Sequence, residues 1–520
     1  MYHMEPVNIY PGDGLFAYMD YACLCANNVY NATNFIIRNL MTGLKKDALS
    51  ITKNEKDVIL SVEEGVRKAN DAALKRYRNA VAKIRNDRSL TAEQKEEKLK
   101  KVKPASYEMP TAEKWFAGYN IIDAVLKFRD DPDYRSHQSH LVQAAIRECC
   151  DAWKSRFAQP EGGNGTGRPG IPGYRRSGGR STAVLDSTAC RKRAGGLLLS
   201  GARLPGSSGK CTPFIRTAGM PHASKDKLVQ LRIVPYFGGY QLQVITDDGL
   251  KEEDILPDAA QAVRADGTAA GVMMLDPDLD NFAAITDNRG NVPIVIKGGA
   301  VKARNQWYNK RMAFLRGEQM KGHGTKGRTF PQTKRMRALS RRRDAFMRDT
   351  FYKYAHYICR LMADRGLEYL VVGHNPGQKQ GIRLGKKTDQ AFVSVPFAEF
   401  RSILLCVCAQ YGILMVEQEE SYTSKACFAA RDPIPVYGEE GDDVPSFSGK
   451  RVKRGLYRQD DGKVLNADVN GGLNTGRKFD ERIFPEGMDM GYIYRTVKAV
   501  TYNGVLGDSR ARRKKAAGAA

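Results

Sequence analysis

The chain has 520 residues, of which 42% are hydrophobic, enough for several domains with real cores. Its 83 Lys and Arg against 58 Asp and Glu give a net charge of +25, which favours a polyanionic partner because every phosphate contact releases condensed counterions. No apolar run is as long as a membrane span, and the start M-Y-H-M-E-P lacks a basic, apolar leader, so the expectation is a cytoplasmic protein of a prokaryotic cell with no membrane partner.

In chain order, the first residues predict a short strand and a Pro-Gly turn, and Ala17 to Leu40 repeats apolar residues at helical spacing. The charged run from Glu55 to Lys103 predicts a helical hairpin, with Ser89 or Thr91 capping its second helix. It serves as a solvated face or as an RNA contact. Helices resume around Trp115 and Trp153, both expected in the core. At Gln159 the composition changes to E-G-G-N-G-T-G-R-P-G-I-P-G-Y-R-R-S-G-G-R. Its close-set amides with Arg168, Arg175, Arg176 and Arg180 suit sugar–phosphate contact, though a plain flexible linker reads the same way. Ser181 to Thr246 turns to β patterning and ends in two alternating strands around F-G-G, a hairpin.

From Gly267 the pattern is two apolar strands, a helix around N-Q-W-Y-N-K-R, and a basic loop. A further helix runs from about Lys334 to Arg365; its Arg341, Arg342 and Arg343 cannot all face a core. Then L-E-Y-L-V-V-G-H-N, a helix ending at Gly412 and I-L-M-V-E predict strand–helix–strand with parallel neighbours. No pair among the ten cysteines has C-x-x-C spacing, and Cys406 and Cys408 sit in an apolar helical run.

Three carboxylate-bearing segments carry the chemistry. An apolar strand ends on Asp276, V-E-Q-E-E-S-Y-T-S-K offers Glu417, Glu419 and Glu420, and N-A-D-V-N-G-G-L-N-T-G-R-K places Asp468 at a helix start. Carboxylates at element ends from distant segments suit magnesium, which takes hard oxygen ligands. Taken singly, D-P-D at Asp276 also reads as turn chemistry, and the glutamates as a surface acidic cluster. Asp278 stands as an alternative acid to Asp276.

The ordered words N-F-A-A-I-T, K-G-G-A-V-K-A-R-N-Q-W-Y-N-K-R, V-V-G-H-N-P-G-Q-K-Q, E-S-Y-T-S-K, G-K-R-V-K-R-G-L-Y-R and N-A-D-V-N-G-G-L-N resemble the TnpB-like transposon-encoded nucleases and the compact type V CRISPR effectors, whose nuclease domain is RuvC. The resemblance covers nearly the whole chain. It implies an α+β multidomain fold with an RNase H-like (RuvC) α/β nuclease domain, a discontinuous β-barrel wedge domain and a helical recognition lobe. The implied boundaries are 1–16 and 159–265 for the wedge, the latter with the basic Gly-rich segment, and 17–158 for the recognition lobe. Residues 266–420 and 463–505 form the nuclease, 421–462 a loop-rich target-binding insert without zinc, and 506–520 a basic disordered tail.

The resemblance also implies an RNA-guided DNA endonuclease, with a guide RNA and target double-stranded DNA as partners and two magnesium ions on Asp276, Glu420 and Asp468. Relatives place the Glu at the position of Gly373; a subset moves it beside S-Y-T-S-K, which points to Glu420. Asn281 matches the Asn of the family's D-x-G-x-x-N, whereas Pro277 and Asp278 depart from it. Many relatives carry four zinc-binding cysteines between Glu and the last Asp; here that interval holds only Cys427, so no zinc is expected. Lys379, Lys425, Lys450, Arg451, Lys453 and Arg454 lie in the matching words and, with Arg341 and Arg342, are expected on nucleic acid. The alternative is an RNA-guided binder that blocks its target without cutting. Such proteins have typically lost an acidic ligand, and here an acid stands at all three places.

Overall fold

The computed structural model describes residues 2–158, 170–249, 262–321, 330–374, 395–436 and 446–508, apart from 138, 208, 265, 279, 454 and 486. Arg168, Lys379, Arg454 and the tail from 509 lie outside the described residues. The chain divides into two compact units, Met1–Gly249 and Leu250–Ala520.

In the N-terminal unit, long helices at Phe16–Gly43, Lys53–Asn86 and Ser139–Ala158 surround a shared apolar core that continues into the sheet. Thr52 and Thr91 each open a helix with a capping box, which satisfies donors that the first turn leaves unpaired. Trp153 is fully buried, and its Nε1 donates to Asn34 Oδ1 at 2.9 Å, the partner an enclosed indole requires. The principal sheet is antiparallel, in the order Tyr2–Ile9, Gly239–Asp247, Lys227–Tyr236, Ala183–Asp186. Phe237 and Gly238 turn its hairpin with φ of 44° and 85°, the paired positive values of a two-residue turn that matches strand twist.

The expected barrel is therefore an open sheet: among the described residues its four strands do not close, and three- and two-stranded sheets stand separately. The physical reason is coverage. The Phe16–Gly43 and Ser139–Ala158 helices pack on these strands and bury the apolar face that closure would otherwise enclose.

The C-terminal unit is built on a six-stranded mixed sheet. From one edge its order is Leu414–Glu419, Tyr369–His374, Val272–Asp276, Asn281–Asp287, Ile294–Lys297 and Lys498–Val500. The first three are mutually parallel, and Asn281–Asp287 runs antiparallel to both its neighbours. Val272–Asp276 is central and reads V-M-M-L before its Asp, the near-continuous apolar run of a strand covered on both faces. On one side lie the Lys334–Arg365 and Phe397–Gln410 helices, where Phe282, Phe351 and Phe400 form an aromatic centre. On the other lies the Ala467–Phe479 helix, whose Gly471, Gly472 and Gly476 let it approach the strands closely.

Candidate active site

Parallel pairing brings the acidic residues together. Leu275 pairs with Val372 and Gly373 with Gln418, so Asp276, Gly373 and Glu420 lie across the same ends of three adjacent strands. The decisive detail is at Gly373. A Cβ built on it would fall 2.2 Å from Glu420 Oε2 and 3.7 Å from the Leu275 carbonyl oxygen. The Glu420 carboxylate thus occupies the space into which a side chain at 373 would grow, beside the strand that ends on Asp276.

The third acid comes from the Ala467–Phe479 helix. Asn466 caps it, accepting from the Asp468 and Val469 amides at 2.9 and 3.2 Å, which fixes Asp468 in the first turn. Asn281 Nδ2 donates to Asp468 Oδ2 at 2.6 Å, Lys297 Nζ donates to Asn281 Oδ1 at 2.8 Å, and Arg451 Nη2 donates to Asp468 Oδ1 at 3.2 Å. A Cβ on Gly471 would stand 3.2 Å from Asp276 Oδ2, so a small residue is needed where the helix passes Asp276. Asn470 and Asn474 donate to the Ala426 carbonyl, and Asn474 also to that of Thr423, tying the S-Y-T-S-K loop onto the helix.

Electrostatics separate the three neighbouring glutamates. Glu417 is paired with Arg401 at 3.1 Å and His374 at 3.2 Å. Glu419 accepts from Lys478 and from the Ser421 amide; burial acts to raise its carboxyl, but these bonds outweigh it and leave it below the usual range. Glu420 is different. Burial first, then Glu419 and Asp278, push its carboxyl up to about 7, with Arg401 opposing. Asp276 is raised well above its ordinary value by burial and by the charges of Glu420, Asp468 and Asp278. Among the described residues no donor reaches the side-chain oxygens of Asp276 or Glu420. Enclosed acids held against one another without a cation are the arrangement that a divalent ion completes.

The donor set therefore fits magnesium in kind, hard carboxylate oxygens on rigid element ends. It does not converge on a single point: among the described residues, the set of three His, Cys, Asp or Glu side chains whose ligand atoms lie within 4.8 Å of one another is in the other unit.

The basic residues fall into two groups. Arg175 is over the Tyr30 ring at 3.6 Å and bonded to Glu148 at 2.5 Å, and Arg180 grips Asp20 through two nitrogens at 2.9 and 2.7 Å. Both are spent on intramolecular partners, whereas Arg176 is exposed. Arg342, Lys425, Lys450, Arg451 and Lys453 are exposed, Arg341 is half-buried, and Arg343 bonds Asn305 at 2.9 Å. Lys297, half a sheet away in sequence, was not anticipated; its Asn281 contact follows from the register Asn281 with Lys297, which a sequence pattern does not disclose.

Residues 397–475 match the family model for the Cas12f1-like TNB domain. No curated protein matches the chain. Two solved structures are similar at low level: a cryo-EM structure of the Cas12f1-sgRNA-target DNA complex, at 11% identity over 91% of this chain and 98% of that chain with a TM-score of 0.43, and a CRISPR-Cas12f ternary complex, at 11% identity over 83% and 82% with a TM-score of 0.29. Likenesses of that size do not fix what a chain does. The segment from the Phe397–Gln410 helix through Asp468 is thus similar to the TNB domain of the Cas12f1-like family, in agreement with the resemblance to compact type V CRISPR effectors carried by the sequence words.

Proposed function

We propose that this chain is an RNA-guided DNA endonuclease with a single magnesium-dependent RuvC site. The observation that carries the reading is the Glu420 carboxylate filling the space over Gly373 beside Asp276, with Asp468 on the helix that crosses them. The sheet supports it: Val272–Asp276 opens an antiparallel three-strand meander on one side and is followed on the other by two parallel strands, the order of an RNase H-like nuclease. Asp276, Glu420 and Asp468 would hold two magnesium ions, which supply an activated water and stabilise the leaving oxygen of a phosphodiester. The chain's own part is positional. Asn281 and the Asn466 cap orient Asp468, Gly373 and Gly471 keep the floor clear, and Arg451 presents positive charge beside it for a phosphate backbone. Guide RNA and double-stranded target DNA are the partners, base pairing reading the sequence while the protein reads duplex shape.

The test has two stages. Purified protein should carry structured RNA, released steeply with salt; nucleic-acid-free protein that binds no RNA at low salt contradicts the reading. With that RNA and a matching target, Glu420→Gln, Asp276→Asn and Asp468→Asn should each lose cutting by about 1000-fold or more, equal to about 4 kcal/mol of barrier, while RNA and target binding persist. Wild-type protein that binds a matching target and leaves it intact would make the chain a binder that blocks without cleaving.

A further inference from the structure

We propose that His3, His222 and Asp226 form a binding site for a divalent transition cation of the zinc class, in the N-terminal unit and separate from the carboxylate site. Two segments far apart in sequence meet there. His3 lies on the Tyr2–Ile9 strand and is buried; His222 and Asp226 are four residues apart around the short Pro221–Lys225 helix, hence on one side of it. One ligand atom from each of the three lies within 4.8 Å of the others. The two imidazoles stack at 3.7 Å with an interplanar angle of 11°, and His222 Nδ1 is 2.7 Å from Asp226 Oδ2.

The surroundings are built as metal sites are. His3 Nε2 lies 2.7 Å from Asp248 Oδ2, a carboxylate that fixes the ring and leaves its other nitrogen to act as a ligand. Glu5, two residues along the same strand, accepts from the His222 and Ala223 amides at 3.3 and 2.6 Å, anchoring the segment that carries the other two ligands. A further polar group on this face is Thr246. The strand register sets Thr246 opposite His3 on the same face of the sheet, fully buried, and among the described residues its Oγ1 meets no hydrogen-bond partner. A buried hydroxyl is ordinarily hydrogen-bonded in a folded protein, and a water or ion bound on that face would satisfy it. Two imidazoles and one carboxylate leave a fourth tetrahedral position for a water on that face.

The choice of metal follows from the ligands. Imidazole nitrogen suits zinc, cobalt or nickel, whereas magnesium and calcium prefer oxygen throughout. Tetrahedral zinc ligands stand about 3.3 Å apart on bonds of about 2 Å, so rotation of the stacked rings out of parallel would close the set. Bound metal would staple the first strand of the sheet to the segment preceding the Lys227–Tyr236 strand. The absence of C-x-x-C spacing argues against zinc only between Glu420 and Asp468; this site uses no cysteine.

The test uses the full-length chain carrying Glu420→Gln, to silence the acidic site, freed of metal with a chelator. Calorimetric titration with zinc chloride and visible absorption with cobalt chloride should show one tetrahedral site per chain, and zinc should raise the melting temperature. His222→Ala and Asp226→Asn, both at partly exposed positions, should weaken binding about 10-fold or more and cancel the thermal shift, as should His3→Ala. A protein that gives no tetrahedral cobalt spectrum, or a His222→Ala variant that keeps full affinity, overturns the proposal.

Discussion

Two carboxylates of the C-terminal site, Asp276 and Glu420, and Asp20 of the N-terminal unit face opposite treatment. Asp20 sits between Arg180, at 2.9 and 2.7 Å, and the Tyr240 hydroxyl at 2.5 Å; the Arg180 bonds hold its carboxyl below the usual range. Asp276 and Glu420 are enclosed with like charges and are pushed up. The first arrangement stabilises a fold. The second costs stability and persists only where something absent from the free chain, a cation or a proton, balances it. The same contrast recurs at one strand end, where, among the described residues, Glu417 and Glu419 are paired with cations and Glu420, just beyond, is not. Among the described residues it is the want of an ion pair, more than the presence of an acid, that sets Asp276 and Glu420 apart from the scaffold, whereas Asp468 keeps one with Arg451.

The strongest way to break this comparison is Gly373→Ala. Its methyl would land 2.2 Å from Glu420 Oε2 and must expel that carboxylate, so cutting should fall about 100-fold or more in a cleavage assay, with RNA binding and melting temperature close to wild type. Near-normal cleavage would show that Glu420 is not the acid in use. A second, thermodynamic test follows from pH. With metal chelated, Glu420 has a folded value of about 7 against an ordinary 4.5, so the folded state holds its proton more tightly. Its contribution to stability is complete below the unfolded value and is lost as pH rises through about 7, a fall of at most about 3 kcal/mol. Denaturant midpoints should decline across that window in the wild type, and Glu420→Gln should flatten the slope.

Smaller effects sharpen the contrast. Asp20→Asn removes the charge that Arg180 grips and should destabilise by about 1–2 kcal/mol, allowing for the pair's partial exposure. Asp276→Asn should be neutral or stabilising by about 1 kcal/mol while cutting is lost, because it relieves like-charge crowding. Equal destabilisation in both variants, by chemical denaturation, would remove the distinction. The least effect belongs to Glu417→Gln, whose carboxylate is 43% exposed and faces Arg401; cleavage within about threefold of wild type is expected, since exposed pairs are worth about 1 kcal/mol or less.

Much of the molecule was legible in the chain itself because it depends on local chemistry. Apolar periodicity marks the Phe16–Gly43 and Lys334–Arg365 helices, Thr91 three residues before Gln94 marks a capping box, and F-G-G marks a hairpin turn. Asp276 and Asp468 stand out by type and position at element ends, and the family resemblance points to Glu420 among three neighbouring glutamates. What the sequence left open depends on partners distant in the chain. Three glutamates in four residues look alike until parallel register sets Glu420 over Gly373 and turns Glu417 to Arg401 and Glu419 to Lys478. The arginines near 175 read as free charge, yet Arg180 meets Asp20 across 160 residues. His3 and His222 are isolated in sequence and stacked in space. Barrel closure likewise failed for a tertiary reason, helices covering the face that strand patterning shows only to be apolar. Periodicity and capping are written within a few residues; which charge is paired, and which is left bare, is decided by long-range register and packing.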